Sequence, residues 1–365
     1  MISADIVFGA GLQFVISKAA GKESQVSWRP RRTSASSLLR GLGTWGQSIS
    51  SEITYQTASA MAGALEFIYT SVLKHQLAKR LVNNFILVLL PKYVRVGRAK
   101  VIINPADPVI SGALTFGVYE NSEISFMKRV CKAGQVMVDV GANVGIYTAI
   151  AGLALGPSGR VIALEPHPES FRFLQQTIRA NNINNTKLVM AAASNTAGQG
   201  KLFTSSTNRG DNRLYDSALA DGAVEVELIR LDDYLAEQGI KEVDIVKIDV
   251  QGFEGRVFEG LEQTIRNSPG ITILAEFWPL GLASAGTDSY ALLSRLEQLD
   301  LTLYELAGNG KLVPIADKHE LIARYPGRKY TNLVLLGPSS ANECRAAKST
   351  YQLLLPPHVR VADAA

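Results

Sequence analysis

Two acids and two glycines stand at the ends of two neighbouring apolar runs. The run Val136–Val140 carries Asp139 near its end and leads into Gly141 and Gly145, and Glu165 follows twenty residues later. A glycine after a strand lets the chain turn sharply and come close to a ligand, because a Cβ atom would intrude. An acid at the end of the next strand can accept hydrogen bonds from both hydroxyls of a ribose. This spacing predicts a nucleoside-binding site.

The glycine spacing differs from that of a dinucleotide site. In the dinucleotide fingerprint the second and third glycines stand two and five positions after the first, and pyrophosphate rests on a helix N-terminus. Here Asn143 takes the second position, and Gly145 comes one residue early. Asp139 would repel a pyrophosphate but attract an ammonium group. The loop therefore favours a zwitterionic or cationic ligand.

A second group of polar residues occupies a later apolar run. In VDIVKIDVQGFEG, Lys247, Asp249 and Gln251 alternate with apolar residues. A carboxylate on a central strand is costly without a partner, so Asp249 is predicted to act in a site. It could be a general base, a ligand for the amino group of a cofactor or a metal ligand. The structural alternative is a helix cap or a buried acceptor at a tight turn.

Four further residues near this run leave alternatives open. Glu276, at the end of the apolar ITILAEF, is the second candidate catalytic acid. Lys247 is expected to pair with Asp249 or Glu276, or to extend into solvent. Glu254 begins a helix, where the dipole alone favours an acid, so a role in the site is an equal alternative. Trp278 would shape an acceptor pocket or pack in the core.

Three motifs together resemble one protein family. DVGANVG, ALEPHP and KIDVQGFEG are similar to the FkbM family of S-adenosylmethionine-dependent methyltransferases. The resemblance covers roughly residues 102 to 336, and it includes the lead-in segment Gly117-Val118-Tyr119-Glu120. The third motif is the most discriminating, although Gln251 stands where most members have an acid. The first hundred residues have no counterpart.

The resemblance implies that S-adenosylmethionine is the cofactor. Its methionine part would lie among Asp139, Gly141, Asn143 and Gly145, its ribose on Glu165, the ribose or adenine beside Pro166 and His167, and the adenine near Ser194 and Asn195. Similar loops often place an acid after the third strand, and this chain has none there. From its sequence position alone, His167 fits a capping or surface role equally well.

The predicted reaction is methyl transfer from S-adenosylmethionine to a hydroxyl of a sugar or another small metabolite. The preference for oxygen comes from the resemblance, and Asp249 and Glu276 are the predicted catalytic residues. A cofactor-binding scaffold without catalysis is one alternative, and an NAD-dependent oxidoreductase, disfavoured by the glycine spacing, is another. No metal is required, although the dispersed acids could bind Mg²⁺. DVQGFE lacks the Pro-Pro-aromatic turn of nucleic-acid amino-methyltransferases, which makes a nucleic-acid partner unlikely, and no Gly-x-Ser-x-Gly nucleophile elbow is present.

From about residue 100 onward, strand-like apolar runs alternate with segments of helical period. This order predicts an α/β fold with a mostly parallel, doubly wound sheet and an antiparallel pair of C-terminal strands, and the resemblance makes it the Rossmann-like fold of class I methyltransferases. Strands are predicted at residues 136–140, 160–164, 187–192, 225–230, 244–250, 271–277, 301–305 and 332–336. One helix is predicted from about 254 to 266 and another at 291–299, and residues 194–221 are expected to form turns and a flexible loop.

Charge divides the chain into a basic front and an acidic body. Residues 1–100 hold 13 Lys and Arg against 4 Asp and Glu, and the remainder has a net charge of −5 within a total of +4. The front could contact a membrane surface or nucleic acid, or it could be a poorly ordered, solvated extension. The predicted organisation is a basic extension, partly disordered or helical, over 1–100, a methyltransferase domain over 101–337 and a tail over 338–365.

Cysteine usage and hydropathy bear on the compartment. Cys131 and Cys344 are far apart and have no metal-ligand spacing around them, so a cytoplasmic protein is predicted. No apolar run reaches the roughly 20 residues that span lipid, and the run at 81–91 is interrupted by Asn83 and Asn84. The expected partner is a small-molecule or glycan acceptor. The sequence does not predict an oligomeric state.

Overall fold

The computed structural model divides the chain into two compact units. The described residues are 2–8, 12–18, 25–30, 91–115, 119–205, 209–216 and 220–346. One unit comprises Met1–Lys92 with Ser111–Tyr119, and the other comprises Tyr93–Ile110 with Glu120–Ala365. In the first unit, strands β1 (Ile2–Phe8), β2 (Leu12–Lys18) and β3 (Gln25–Pro30) form an antiparallel sheet in that order. Most of the predicted basic extension, the run at 81–90 and the tail after 346 lie outside the described residues.

The second unit contains thirteen strands among its described residues. They are β4 (Tyr93–Val96), β5 (Ala99–Ile102), β6 (Val136–Val140), β7 (Arg160–Leu164), β8 (Thr186–Val189), β9 (Ala192–Ser194), β10 (Gly198–Thr204), β11 (Gly222–Arg230), β12 (Ile245–Ile248), β13 (Thr272–Phe277), β14 (Thr302–Leu306), β15 (Leu312–Pro314) and β16 (Thr331–Leu336). The central sheet has the order β15-β14-β16-β13-β12-β6-β7-β8.

The central sheet confirms the predicted fold class. Strands β8, β7, β6, β12 and β13 pair in parallel, and β16 runs antiparallel to both β13 and β14. The chain proceeds from β6 towards β8 on one side and from β12 towards β13 on the other. The sheet is therefore doubly wound, and its order reverses between β6 and β12. Ligands bind in such sheets beyond the carboxyl ends of the strands at this reversal.

Helices connect the strands. Their bounds are α1 (Pro108–Thr115), α2 (Asn121–Val130), α3 (Ile146–Leu155), α4 (Pro168–Ala180), α5 (Leu231–Glu237), α6 (Glu254–Glu259), α7 (Glu262–Asn267), α8 (Pro279–Ser284), α9 (Ser289–Gln298), α10 (Lys318–Arg324) and α11 (Pro338–Ala346). Helix α4 begins with Pro168, whose fixed φ suits the first helical position, and it has Arg179 in its last turn. Helices α3 and α4 follow the two strands that carry the predicted cofactor motifs.

The core of this unit lies on the central sheet. Every residue of β12 is buried, which includes Lys247, because a central parallel strand is covered on both faces. The apolar cluster also takes residues from β6, β7, β13, β14 and β16. A polar side chain on β12 is consequently enclosed, and its partners have to come from the protein or from a ligand.

The predicted third strand at 187–192 is wrong in extent. Strand β8 ends at Val189, and β9 leaves the central sheet to pair in parallel with β11 in a separate sheet of order β10-β11-β9. The predicted edge strand at 225–230 belongs to this small sheet, where β10 and β11 form an antiparallel pair. Strand β10 lies within 194–221, so the expectation of turns and a flexible loop there is wrong for Gly198–Thr204. These pairings join residues distant in sequence.

The single helix predicted from about 254 to 266 is broken into α6 and α7 at Gly260. The Gly260 carbonyl accepts a hydrogen bond from the backbone N–H of Asp232. A Cβ atom at Gly260 would come within 2.2 Å of the Ser194 carbonyl oxygen. The helical period continues through this position, but the close approach of β9 requires a glycine and a change of direction.

Candidate active site

The loop after β6 uses backbone conformations that favour glycine and asparagine. Gly141, Asn143 and Gly145 have φ values of 77°, 48° and 88°, all in the left-handed region. A Cβ atom at Gly141 would lie 2.0 Å from the Asp249 carbonyl oxygen, and one at Gly145 would lie 2.6 Å from Leu174 Cδ1. The atoms that require these glycines are therefore protein atoms. Contact of the same loop with a ligand stays a prediction.

Glu165 links this loop to the segment after β7. Its Oε2 accepts the Asn143 N–H and its Oε1 accepts the His167 N–H, each at 2.8 Å. The side chain is buried, and burial raises the pKa of the carboxyl to about 7, although the two backbone donors lower it. Each carboxylate oxygen has a second lone pair, so the group can accept further hydrogen bonds. Glu165, the residue predicted to bind the ribose, is thus held at the end of β7 by two backbone hydrogen bonds.

Lys247 joins the two acids at the centre of the sheet. Its Nζ donates to the Gly141 carbonyl oxygen at 2.8 Å and lies 3.7 Å from Asp139 Oδ1 and 3.6 Å from Asp249 Oδ2. Burial lowers the pKa of Lys247, but the negative charges of Asp249 and Asp139 raise it by more than burial lowers it, so the pKa is raised overall. The prediction that Lys247 pairs with Asp249 is confirmed. Asp139 is a second partner that the sequence did not indicate.

Asp139 is completely buried. Its Oδ2 accepts the Thr148 hydroxyl at 2.5 Å, while its Oδ1 has no hydrogen-bond partner and faces the Lys247 ammonium group. Burial raises the pKa of this carboxyl, and Lys247 opposes the shift. Asp139 therefore acts on the glycine loop indirectly, through Lys247, which donates a hydrogen bond to the Gly141 carbonyl oxygen. Direct contact with a cofactor stays a prediction.

A pocket opens at the carboxyl ends of β12 and β13. Its lining residues are Glu120, Glu123, Tyr147, Lys247, Ile248, Asp249, Leu274, Glu276, Tyr330 and Asn332. Both predicted catalytic acids line it, and Gln251 Nε2 connects them by donating to Asp249 Oδ1 at 2.8 Å and to Glu276 Oε2 at 3.1 Å. Burial, helped by the negative charge of Asp249, raises the pKa of Glu276 well above its usual range.

Sequence reasoning missed the other side of this pocket. Glu120 precedes α2 and accepts the Tyr147 hydroxyl at 2.5 Å, and Glu123 accepts the Asn332 side-chain amide at 2.8 Å. Burial and the charge of Asp249 raise the pKa of Glu120 to about 7. Glu120 ends the lead-in segment GVYE, which was the available signal. Tyr330 lies just before β16 and Asn332 is its second residue, and neither carries a local motif.

Two alternatives raised by the sequence resolve towards structural roles. Glu254 Oε1 accepts the N–H groups of Val250 and Gly252, at 3.1 and 3.2 Å, and so closes the turn after β12. Burial raises the pKa of Glu254 to about 7. Trp278 is buried, donates its indole N–H to the Gly327 carbonyl at 2.8 Å and does not line the pocket.

The remaining predicted cofactor residues lie away from this pocket. His167 is the N-cap of α4, with Nδ1 accepting the Ser170 N–H at 3.5 Å, and Pro166 beside it is half-buried. Ser194 is buried in β9, and Asn195 donates to Glu259 Oε2 at 2.7 Å. The capping role of His167 is confirmed. Contact of these four residues with a ribose or adenine stays a prediction.

Metal-ligand clusters and membrane spans were sought in the described parts of the chain. No group of three or more His, Cys, Asp or Glu side chains there could hold a metal ion. None of the helices there has the length and apolar character needed to cross a membrane.

Comparison with known proteins finds a family model that covers the central part of the chain. The model of the methyltransferase FkbM domain matches residues 139–285, a span that starts at Asp139 and contains Glu165, Asp249 and Glu276. This part of the chain is similar to the FkbM methyltransferase domain.

Three relatives illustrate the range of this family. The chain is 29% identical to the methyltransferase sdnD of Sordaria araneosa, with 40% of this chain and 68% of the relative covered. It is 27% identical to the 2-O-methyltransferase NoeI of Sinorhizobium fredii, with 37% and 60% covered. It is 31% identical to the 31-O-demethyl-FK506 methyltransferase FkbM of Streptomyces tacrolimicus, with 36% and 61% covered. The last two alignments thus span about three fifths of the relatives' lengths.

The FkbM domain match divides the pocket. Lys247, Asp249 and Glu276 lie inside residues 139–285, whereas Glu120 and Tyr330 lie outside them. One wall of the pocket is therefore built from segments on either side of the matched span.

Proposed function

We propose that this protein transfers a methyl group from S-adenosylmethionine to a hydroxyl oxygen of a sugar or another small metabolite. One observation carries the proposal: Lys247 bonds to the Gly141 carbonyl of the glycine loop and also faces Asp249 in the acid-lined pocket. The glycine loop, proposed to bind the methyl donor, therefore adjoins the acid-lined pocket, proposed to bind the acceptor. Both lie at the point where the sheet order reverses. The names of the relatives NoeI and FkbM state methylation of oxygen, which supports this choice of acceptor atom.

The residues present fit S-adenosylmethionine in three respects. Glu165 has acceptor capacity left for ribose hydroxyls after its two backbone hydrogen bonds. Gly145, the N-cap of helix α3, has no side chain that could cap the helix, so the first N–H groups of α3 are suited to the carboxylate of the methionine part. Asp139 faces Lys247, and this lysine donates to the Gly141 carbonyl oxygen, so the buried acid helps to hold the glycine loop in place for a ligand. When bound, the cofactor would supply a methyl group on a positively charged sulfur.

The chain's own residues would align the acceptor and remove its proton. Methyl transfer needs the acceptor oxygen in line with the methyl group, and it needs a base within hydrogen-bond reach of the hydroxyl. Four carboxyl groups line the pocket, those of Glu120, Glu123, Asp249 and Glu276. A neutral acceptor with several hydroxyls can donate to these groups, whereas an anionic acceptor would be repelled.

The proposal is tested first by cofactor binding to the full chain. Isothermal titration with S-adenosylhomocysteine is expected to show binding, and titration with NAD is expected to show none. Methylation is then measured with S-adenosylmethionine and three hydroxyl probes: methyl α-D-glucopyranoside, N-acetylglucosamine and myo-inositol. Mass spectrometry of the products locates the added methyl group. Absence of S-adenosylhomocysteine binding, or binding of NAD in its place, contradicts the proposal.

A further inference from the structure

Glu120 stands at the N-cap of α2 but does not cap it. Its backbone has φ 39° and ψ 48°, in the left-handed region, and its side chain makes no hydrogen bond to the helix. A non-glycine residue held in this region costs on the order of 1 kcal/mol, and such residues cluster at functional sites. Its carboxylate accepts the Tyr147 hydroxyl inside the pocket instead of the N–H groups of α2. The conformation therefore directs an acid into the acceptor pocket at a local energetic cost.

The two acids predicted from the sequence are less suited to take up a proton. Asp249 accepts the Gln251 amide on Oδ1, and its Oδ2 faces the Lys247 ammonium group, so both of its oxygens already have a protein partner. Burial, together with the charge of Asp249, raises the pKa of Glu276 well above its usual range and so favours the protonated form of this carboxyl group. The same Gln251 amide occupies Glu276 Oε2.

We propose that Glu120 accepts the proton of the acceptor hydroxyl during methyl transfer, an inference that rests on the proposed function. The acceptor oxygen forms a bond to the methyl carbon while the carbon–sulfur bond breaks, and that electron pair stays with sulfur. The hydroxyl proton passes to the Glu120 carboxylate. The positive charge of the sulfonium and the negative charge of the carboxylate are both removed, so charge and atoms balance.

The electrostatic surroundings of Glu120 support this role. Burial raises the pKa of its carboxyl to about 7, with further upward contributions from Asp249 and Glu123, while the Tyr147 hydroxyl and Lys247 lower it. The negative charge of Glu120 in turn raises the pKa of Glu276, which lines the same pocket. A base whose pKa is close to the working pH is partly ionised and still strong enough to hold a proton. Tyr147 therefore tunes the proton affinity of Glu120.

The ionisation is measured directly in the full chain, without any ligand. With side-chain carboxyl groups of glutamate labelled with carbon-13, the signal missing in Glu120→Gln is assigned to Glu120 and followed by NMR against pH. We expect a midpoint near 7, and we expect it to rise in Tyr147→Phe because the hydroxyl that lowers the pKa is lost. A midpoint below about 5 or above about 9, or an unchanged midpoint in Tyr147→Phe, overturns the inference.

Turnover is measured on whichever of the three hydroxyl probes the wild type methylates. Glu120→Gln is expected to lower kcat at least 100-fold with the Kd of S-adenosylhomocysteine unchanged within about twofold. Glu120→Asp keeps a carboxylate and should recover part of kcat, and Tyr147→Phe should move the acid limb of the pH profile upward. Glu225→Gln, on the exposed side of β11, is the matched control. If Glu120→Gln retains more than a tenth of the wild-type kcat, Glu120 is not the base. If the wild type itself does not bind S-adenosylhomocysteine, the proposed function is wrong.

Discussion

Two buried side chains define the site at the level of single residues. Glu165 fastens the glycine loop to the segment after β7, and Lys247 fastens the same loop to the acid-lined pocket. Both are charged groups with almost no solvent contact, which is costly unless every partner is present. The role proposed for each in binding is therefore tied to its role in the local fold, and tests have to measure both.

Glu165→Ala is expected to weaken S-adenosylhomocysteine binding by about 10- to 100-fold, because a charge-assisted pair of hydrogen bonds to the ribose is lost. In the wild type the affinity should also fall as the pH drops below about 7, where the buried Glu165 carboxyl takes up a proton. Isothermal titration between about pH 6 and 8 measures both effects. Equal affinity in Glu165→Ala and in the surface control Glu225→Gln would place the ribose elsewhere.

Lys247→Met is expected to destabilise the fold by about 3–5 kcal/mol, because it leaves Asp139 and Asp249 without their common cation in a buried position. Urea unfolding monitored by circular dichroism gives the change. Lys318→Met removes a lysine that pairs with Glu297 at the surface, and it should change little. Similar stability for the two variants would show that the central lysine is not compensating the two acids.

At the level of elements, the sequence predicted what depends on local pattern. The apolar runs at 136–140 and 160–164 coincide with β6 and β7, and the final strands pair in the expected antiparallel manner. Asp249 and Glu276 reach one pocket because adjacent parallel strands end at the same edge. What the pattern could not give is pairing between distant segments. The run LVMAAAS is continuous in composition, and only its pairing with β11 separates β9 from β8.

The same limit applies to the pocket wall. Glu120 comes from the segment before α2 and Tyr330 from just before β16, and neither lies in a run whose periodicity implies a shared cavity. Their meeting depends on the antiparallel insertion of β16 between β13 and β14. The residues proposed to bind the cofactor were accessible to prediction because they follow consecutive strands. The residues of the proposed acceptor pocket were not, since tertiary packing alone brings them together.

The break between α6 and α7 makes a testable claim about one glycine. Gly260→Ala is expected to lower the free energy of unfolding by about 1–3 kcal/mol, because the new Cβ would come 2.2 Å from the Ser194 carbonyl oxygen. Its φ of −82° suits any residue, so the contact alone causes the loss. Gly270→Ala, where a Cβ atom meets nothing within 4 Å, is the control. Equal urea midpoints for the two variants would mean that β9 shifts to accommodate the new methyl group without loss of stability.

At the level of the whole molecule, buried carboxyl groups link stability to pH. Burial raises the pKa of Glu120, Glu165 and Glu254 from 4.5 to about 7. Between these values the folded chain holds protons that the unfolded chain has released, so the free energy of unfolding falls as the pH rises. Their contribution is fully present below pH 4.5 and is lost as the pH passes through about 7.

Urea unfolding is accordingly expected to give a higher midpoint at about pH 5.5 than at about pH 8. Glu254→Gln should flatten this dependence and stabilise the chain at pH 8 by about 1–3 kcal/mol, because the amide keeps the Oε1 acceptor of the turn and carries no charge. Glu225→Gln should leave the dependence as it is in the wild type. A midpoint that rises steadily from pH 5.5 to pH 8 contradicts the expected sign.

The hydrogen bond between Glu123 and Asn332 ties together two stretches more than two hundred positions apart, both outside the span that the family shares. Under the proposed function, changes in these two flanking stretches would alter the choice of acceptor and leave the proposed binding site of the methyl donor unchanged. Chimeras in which α2 and β16 are exchanged together between homologues should bind S-adenosylmethionine as the parent that supplies residues 139–285 does. Their acceptor specificity should follow the parent that supplies α2 and β16.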